Sequence, residues 1–139
     1  YFIVCKHHPF VKKPPVNPEE VHHFSRDLTK DISIEDLRCS AYICISDYSS
    51  HVFEYSLFEK PMIFYAYDYD NYCDWRGFYY DYSDFTPGLV VQTEAALLHS
   101  IKNIDTQFDK QRVIDFREQF MGSCDGYATE RIIEFMKGS

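Results

Sequence analysis

Glycine is scarce in this sequence, five residues in 139, and none of them cluster. That excludes a GxxxxGK[ST] phosphate loop and a GxGxxG dinucleotide turn, both of which need glycine where backbone approaches phosphate closely. No GxSxG elbow is present either, which leaves a serine hydrolase with little support. Positive charge is short as well. Fourteen Lys and Arg stand against 22 Asp and Glu, for a formal net charge of -8. Such a balance argues against a general nucleic-acid or anionic-lipid surface, although it leaves room for a small basic pocket around a phosphate. No apolar run approaches the roughly 18 residues of a membrane span, and no signal-peptide pattern is read. The five cysteines, Cys5, Cys39, Cys44, Cys73 and Cys124, form no CxxC pair and no zinc-finger spacing. They read as reduced thiols of a cytosolic protein. No metal site is expected.

What is present is an alternation of strand-like and helix-like segments in a length suited to one domain. Tyr1 to Lys6 is an apolar, β-branched run and a buried strand candidate. It starts without methionine, directly in the run, and reads as the first strand of something already under way, a fragment or excised domain. His7-His8-Pro9-Phe10 and a proline-rich loop follow, and Val21 to Phe24 is expected as a second short strand. Ser33-Ile34-Glu35-Asp36 is a capping-box pattern opening a helix through about Arg38. Ala41 to Ile45 is the next strand, followed by the turn Ser46-Asp47-Tyr48-Ser49-Ser50 and a helix over His51 to Lys60, stopped by Pro61.

Met62 to Tyr65 and Leu89 to Val91 are further strands, separated by a long aromatic and acidic loop from Tyr67 to Gly88. Thr93 caps a helix over Glu94 to Lys102, and helical segments over about Asp109 to Met121 and Tyr127 to Lys137 close the chain. This order predicts an α/β fold with a Rossmann-like parallel sheet covered by helices on both faces. Ligands in such folds sit at the carboxyl ends of the strands, which puts His7-His8-Pro9 and Ser46 to Ser50 on one rim.

Four features carry chemistry. The turn from Ser46 to Ser50 leads into a helix start, where free amides, the partial positive charge and the Ser49 and Ser50 hydroxyls suit a phosphate; a plain helix cap is the equal alternative. His8 can donate a hydrogen bond to a phosphate or sit idle as a surface loop residue. His7 points to the other side of the strand, because successive residues alternate. Glu54, one turn into the helix, can reach ribose hydroxyls or simply be solvated. Arg76 is the cationic point of the aromatic loop, placed to clamp a phosphate or to pair with a neighbouring aspartate. The Asp68-x-Asp70 spacing does not make a calcium loop, since Tyr72, Cys73 and Tyr79 occupy positions that need a ligand, a glycine and a glutamate.

Taken in order, His8-Pro9, Ile45-Ser46-Asp47-Tyr48-Ser49-Ser50, Val52-Phe53-Glu54-Tyr55, Lys60-Pro61-Met62-Ile63-Phe64-Tyr65, Tyr67-Asp68, Arg76-Gly77-Phe78-Tyr79, Pro87-Gly88 and Cys124-Asp125-Gly126-Tyr127-Ala128-Thr129-Glu130-Arg131 span nearly the whole chain. This series resembles the carboxyl-terminal half of the CDP-glycerol glycerophosphotransferase family, which builds teichoic acid and related capsule polymers.

The resemblance implies one nucleotide-donor-binding domain over residues 1–139, the C-terminal half of a GT-B transferase, with the partner N-terminal half absent. It implies CDP-glycerol, or a related CDP-polyol such as CDP-ribitol, as donor, with CMP released and no cofactor. His8 would stabilise the diphosphate in the transition state. Ser46, Asp47, Ser49, Ser50, Glu54, Arg76, Asp125 and Gly126 would line the donor site. Glu54 stands where the family more often has aspartate. The polymer acceptor and general base would belong to the missing half, in a parent protein at the inner face of the plasma membrane, with peripheral membrane association and no nucleic acid. The alternatives are the donor half of a GT-B glycosyltransferase using a CMP- or UDP-sugar, and a nucleotide-binding module without catalysis.

Overall fold

In a computed structural model of the chain, residues 1–8, 10–75 and 82–138 are described. The chain divides into two units, Tyr1–Ala41 and Tyr42–Ser139.

The first unit holds strands β1 (Ile3–Cys5) and β2 (Ser25–Asp27), paired in parallel with Ile3 opposite Ser25 and Cys5 opposite Asp27. The expected strand over Val21 to Phe24 is replaced by a 3-10 turn, Glu19–Val21. Pro18 fixes the entry to this turn, and Val21, His22 and Phe24 amides all donate to carbonyls three residues back. The strand that does form is the polar tripeptide that follows. Helix α1 (Ile34–Ser40) ends two residues later than expected, and its N-terminus is capped as the sequence indicates. The Asp36 amide donates to Ser33 Oγ at 3.0 Å, and that hydroxyl donates to Asp36 Oδ2 at 2.8 Å.

The second unit is built on a three-stranded parallel sheet in the order β3 (Cys44–Ser46), β4 (Met62–Tyr65), β5 (Leu89–Val91). The central strand is buried on both faces: Met62, Ile63 and Phe64 expose 3%, 0% and 2% of their surface. Side chains alternate across a strand, so Ile63 and Tyr65 point one way and Met62 and Phe64 the other. Helix α5 (Glu94–Lys102) covers the first face, packing Ala96, Leu97 and Ile101 with Ile63, Val91 and Ile104. Thr93 caps α5 by accepting from the Ala96 amide at 3.2 Å. On the second face the Tyr82 ring meets Phe64 edge-on. Pro87-Gly88 matters here. A Cβ on Gly88 would lie 2.3 Å from the Met62 carbonyl oxygen, so only glycine lets β5 approach β4 at that point.

Helix α2 (His51–Ser56) stops well before Pro61. The Phe58 and Glu59 amides donate to carbonyls three residues back, and Glu59 takes a left-handed φ of 51° that ends the helix. The long stretch after β4 is not a plain loop. It contains helices α3 (Tyr69–Trp75) and α4 (Tyr82–Phe85). A short helix α6 (Ile104–Gln107), unexpected from the sequence, precedes α7 (Lys110–Met121), which is capped by Asp109. Helix α2 packs on α7 through Phe53, Phe116 and Phe120, with Phe85 completing the aromatic cluster. Glu59 adds ion pairs to Lys110, at 2.9 Å, and to Arg117. Helix α8 (Ala128–Lys137) ends the chain and buries none of its residues. No helix among the described residues is long and apolar enough to cross a membrane. The architecture is thus mixed α/β with parallel strand pairing in both units, as the alternation of segments predicts.

Candidate functional site

His8 is exposed in the segment following β1. Its Nδ1 accepts a hydrogen bond from the Phe10 amide at 3.2 Å, and its ring meets Phe10 edge-on at 4.9 Å. An Nδ1 that accepts leaves the proton of a neutral imidazole on Nε2, so the ring presents an N–H donor on its far side. His7 makes different contacts. Its amide donates to Thr29 Oγ1 at 2.9 Å, and its Nε2 lies 3.8 Å from Asp27 Oδ2. Hydrogen bonds from Thr29 hold the Asp27 carboxyl below the usual carboxylate range, with His7 and Lys30 adding to the effect.

In the second unit, the turn from Ser46 to Ser50 runs from the carboxyl end of β3 into α2. Ser50 occupies the N-cap position in a helical conformation and makes no side-chain cap bond. The Ser49 hydroxyl accepts a long bond, 3.4 Å, from the His51 amide. A helix cap is therefore not what these two hydroxyls chiefly supply. Glu54 is half-buried on α2.

The turn is fixed by tyrosines, its own Tyr48 and Tyr82 of α4. Tyr82 Oη donates to the Asp47 carbonyl at 2.6 Å, and Tyr48 Oη donates to Asp68 Oδ1 at 3.0 Å. The Tyr48 ring stacks on Tyr72 at 3.8 Å and lies 5.3 Å from Tyr82. Burial raises both phenols well above their ordinary range, reinforced at Tyr48 by the Asp68 hydrogen bond and at Tyr82 by the charge of Asp47. Both therefore stay protonated donors at any ordinary pH. The sequence reading gave these tyrosines no role. Their hydrogen bonds join residues 20 and 35 positions apart, which no local pattern marks.

Asp125 and Gly126 lie in the exposed connection between α7 and α8. Asp125 takes both its oxygens to Arg131 Nη1, at 2.9 and 2.6 Å, and accepts from the Tyr127 amide at 3.0 Å. Arg131 holds its carboxyl below the usual range. Gly126 has φ 85°, a left-handed conformation that calls for glycine. Arg76, the rest of the Arg76-Gly77-Phe78-Tyr79 motif and Pro9 lie outside the described residues.

Of the expected site residues, the structure brings Ser46, Asp47, Ser49, Ser50 and Glu54 together on one strand–turn–helix. His8 sits after its own strand in the other unit, and Asp125 with Gly126 forms a separate turn. A cavity of about 590 Å³ lies elsewhere, beside α7, lined by Phe85, Thr86, Arg112, Asp115, Phe116 and Gln119 among others; none of the expected residues line it. Among the described residues no group of three or more His, Cys, Asp or Glu could hold a metal ion.

Residues 1–137 match the model of the family described as CDP-glycerol:poly(glycerophosphate) glycerophosphotransferase. The teichoic acid poly(ribitol-phosphate) polymerase of Bacillus spizizenii is 37% identical over 134 residues, which is 96% of this chain and 21% of that protein. The teichoic acid ribitol-phosphate primase of the same organism is 35% identical over 98% of this chain and 34% of its own length. Among solved structures, the wall teichoic acid polymerase TagF superposes with a TM-score of 0.81 at 26% identity, covering 99% of this chain and 34% of TagF. A TagF variant soaked with CDPG gives 0.82 at 25% identity, covering 99% of this chain and 35% of that one. The chain thus spans about a fifth to a third of the relatives it matches. With the match running over 137 residues in the order of its strands and turns, this chain belongs to the CDP-glycerol:poly(glycerophosphate) glycerophosphotransferase family.

Proposed function

We propose that this chain is the donor-binding part of a polyol-phosphate transferase that uses CDP-glycerol or CDP-ribitol to extend a teichoic acid or capsular polymer. The observation that carries the reading is the match, over nearly the whole chain and in three dimensions, to a polymerase structure soaked with CDPG. In the reaction an acceptor hydroxyl attacks the distal phosphorus of the donor. A new P–O bond to the acceptor forms, the bridging P–O bond breaks, and CMP leaves with the bridging oxygen. The acceptor proton passes to a base outside this chain, in the part of the relatives that it does not span.

His8 donates its Nε2–H to a diphosphate oxygen and stabilises the charge that develops there. The Ser49 and Ser50 hydroxyls hold phosphate oxygens beside Ser46 and Asp47. Glu54 reaches the ribose, and Arg76, Asp125 and Gly126 line the donor. The proposed setting is the cytoplasmic face of the membrane, with the parent protein associated peripherally.

The test is calorimetric titration of the chain with CDP-glycerol, CDP-ribitol and UDP-N-acetylglucosamine. Saturable binding of the cytidine ligands alone is expected, weakened by roughly tenfold in His8→Ala, the loss of one charge-assisted hydrogen bond. In the full-length parent the same substitution lowers turnover by about 100-fold or more, as for removal of an oxyanion donor. Preference for the UDP-sugar would replace the reading with a glycosyltransferase. Unchanged turnover in His8→Ala would remove His8 from the chemistry.

A further inference from the structure

The serine hydroxyls do little to hold the shape of the turn that leads from β3 into α2. Ser50 makes no cap bond and the Ser49 contact to His51 is long. Its fixed points come instead from the chain on either side of the 76–81 segment. Before that segment, Asp68 accepts from Tyr48 Oη and Tyr72 stacks on the Tyr48 ring. After it, Tyr82 donates to the Asp47 carbonyl and packs against Phe64 of the central strand. Tyr82 is 4% exposed, so its hydroxyl reaches the turn from a rigid, buried base. A hydroxyl held this way sets the direction of a carbonyl, and with it the peptide plane that carries the Tyr48 amide.

We propose that Tyr82 is a positioning residue for donor binding, which holds the Asp47 carbonyl so that the backbone and hydroxyls of Ser46 to Ser50 are set for the donor's phosphates. Tyr48, through Asp68, anchors the other side of the same turn. The inference rests on the donor reading given above. Tyr82 touches no donor atom. It acts through the turn, and its removal therefore affects phosphate binding more than folding.

The experiment compares the chain with Tyr82→Phe and with Ile104→Val. The second is a core substitution on the opposite face of the sheet that lowers stability without touching the turn. Tyr82→Phe weakens CDP-glycerol binding by about fivefold, the worth of one ordinary hydrogen bond. Ile104→Val leaves affinity unchanged at a comparable loss of thermal stability. Amide hydrogen exchange across Ser46 to Ser50 rises by about the same factor in Tyr82→Phe and stays constant in Ile104→Val. If the unaltered chain binds donor and Tyr82→Phe binds it equally well, the positioning role is overturned while the donor reading stands. If the unaltered chain binds no cytidine diphosphate ligand, the donor reading falls. Exchange rates then decide the turn alone: equal rates in Tyr82→Phe and the unaltered chain overturn the tie itself.

Discussion

The two units of this chain are held together by different physics. In Tyr42–Ser139 the sheet sits inside an apolar core, with Val52, Tyr55, Ile63, Phe64, Ile104, Val113 and Phe116 all nearly or fully buried. In Tyr1–Ala41, among the described residues, the buried side chain is that of Ser25, and the strand residues Val4 and Cys5 are only half-buried. That unit is cross-linked by polar groups. Lys6 Nζ donates to the Thr29 and Ile32 carbonyls at 3.0 and 2.7 Å, and Thr29 binds both the His7 amide and Asp27. His8 is carried by the polar unit and the serine turn by the apolar one. A rigid core positions a turn; a hydrogen-bonded frame positions a strand end that needs little apolar support.

The comparison breaks most sharply on a pair of truncations. Ile63→Ala removes a fully buried side chain from the central strand, where neighbours on both faces limit collapse into the cavity. It should cost about 3–4 kcal/mol of unfolding free energy in urea. Val4→Ala, at a half-buried position on β1, should cost about 1 kcal/mol or less. Equal costs would show that both units rest on apolar packing after all.

The same contrast governs what could be read from residues alone. Strands β4 and β5 and helix α5 fall where an apolar run, a proline, a glycine and a threonine cap put them, because there the local pattern and the core agree. Strand β2 is not predicted by the sequence because Ser25-Arg26-Asp27 carries no apolar pattern; it is a strand through pairing with β1 and not through its side chains. Helix α2 ends earlier than the sequence predicts because nothing in Glu59 announces a left-handed φ. His8 and the turn from Ser46 to Ser50 each follow a strand, as the apolar runs before them indicate. The tyrosine anchors have no such signal, since Tyr82 reaches Asp47 from 35 residues away, a tertiary contact with no local signature. Helix α3 was hidden by Tyr, Asp and Asn, all weak helix formers.

A smaller effect tests the polar frame directly. Lys6→Met keeps the length of the side chain and removes the ammonium, leaving the Thr29 and Ile32 carbonyls without that donor. The expected cost is about 1–2 kcal/mol. Its signature is local: hydrogen exchange quickens over residues 28–32, while the amides of β4 keep the protection of the apolar core. Faster exchange in β4 as well would mean that the two units unfold as one.

The smallest effect is the response to acid, and it should act on both units. Asp27 in the first unit, with Glu59 and Asp125 in the second, each have a carboxyl held below its ordinary value of 3.8 or 4.5, by Thr29, by Lys110 with Arg117, and by Arg131 respectively. A carboxylate with a depressed folded-state pKa binds its proton more readily in the unfolded chain. Its contribution to stability is therefore complete above those ordinary values and is lost as pH falls through the lowered ones. Stability should stay level for these groups from neutral pH down to about 5 and then decline. Asp125 is solvent-exposed and Asp27 and Glu59 are partly so, and salt therefore screens the ion pairs of Glu59 and Asp125 and should blunt that part of the decline. Asp27 relies first on hydrogen bonds from Thr29, so its share should persist in salt. Acid titrations followed at low and high salt, with Asp27→Asn and Glu59→Gln as references, separate the two. A decline that salt abolishes in both units would mean that charge, and not hydrogen bonding, holds the polar frame around His8.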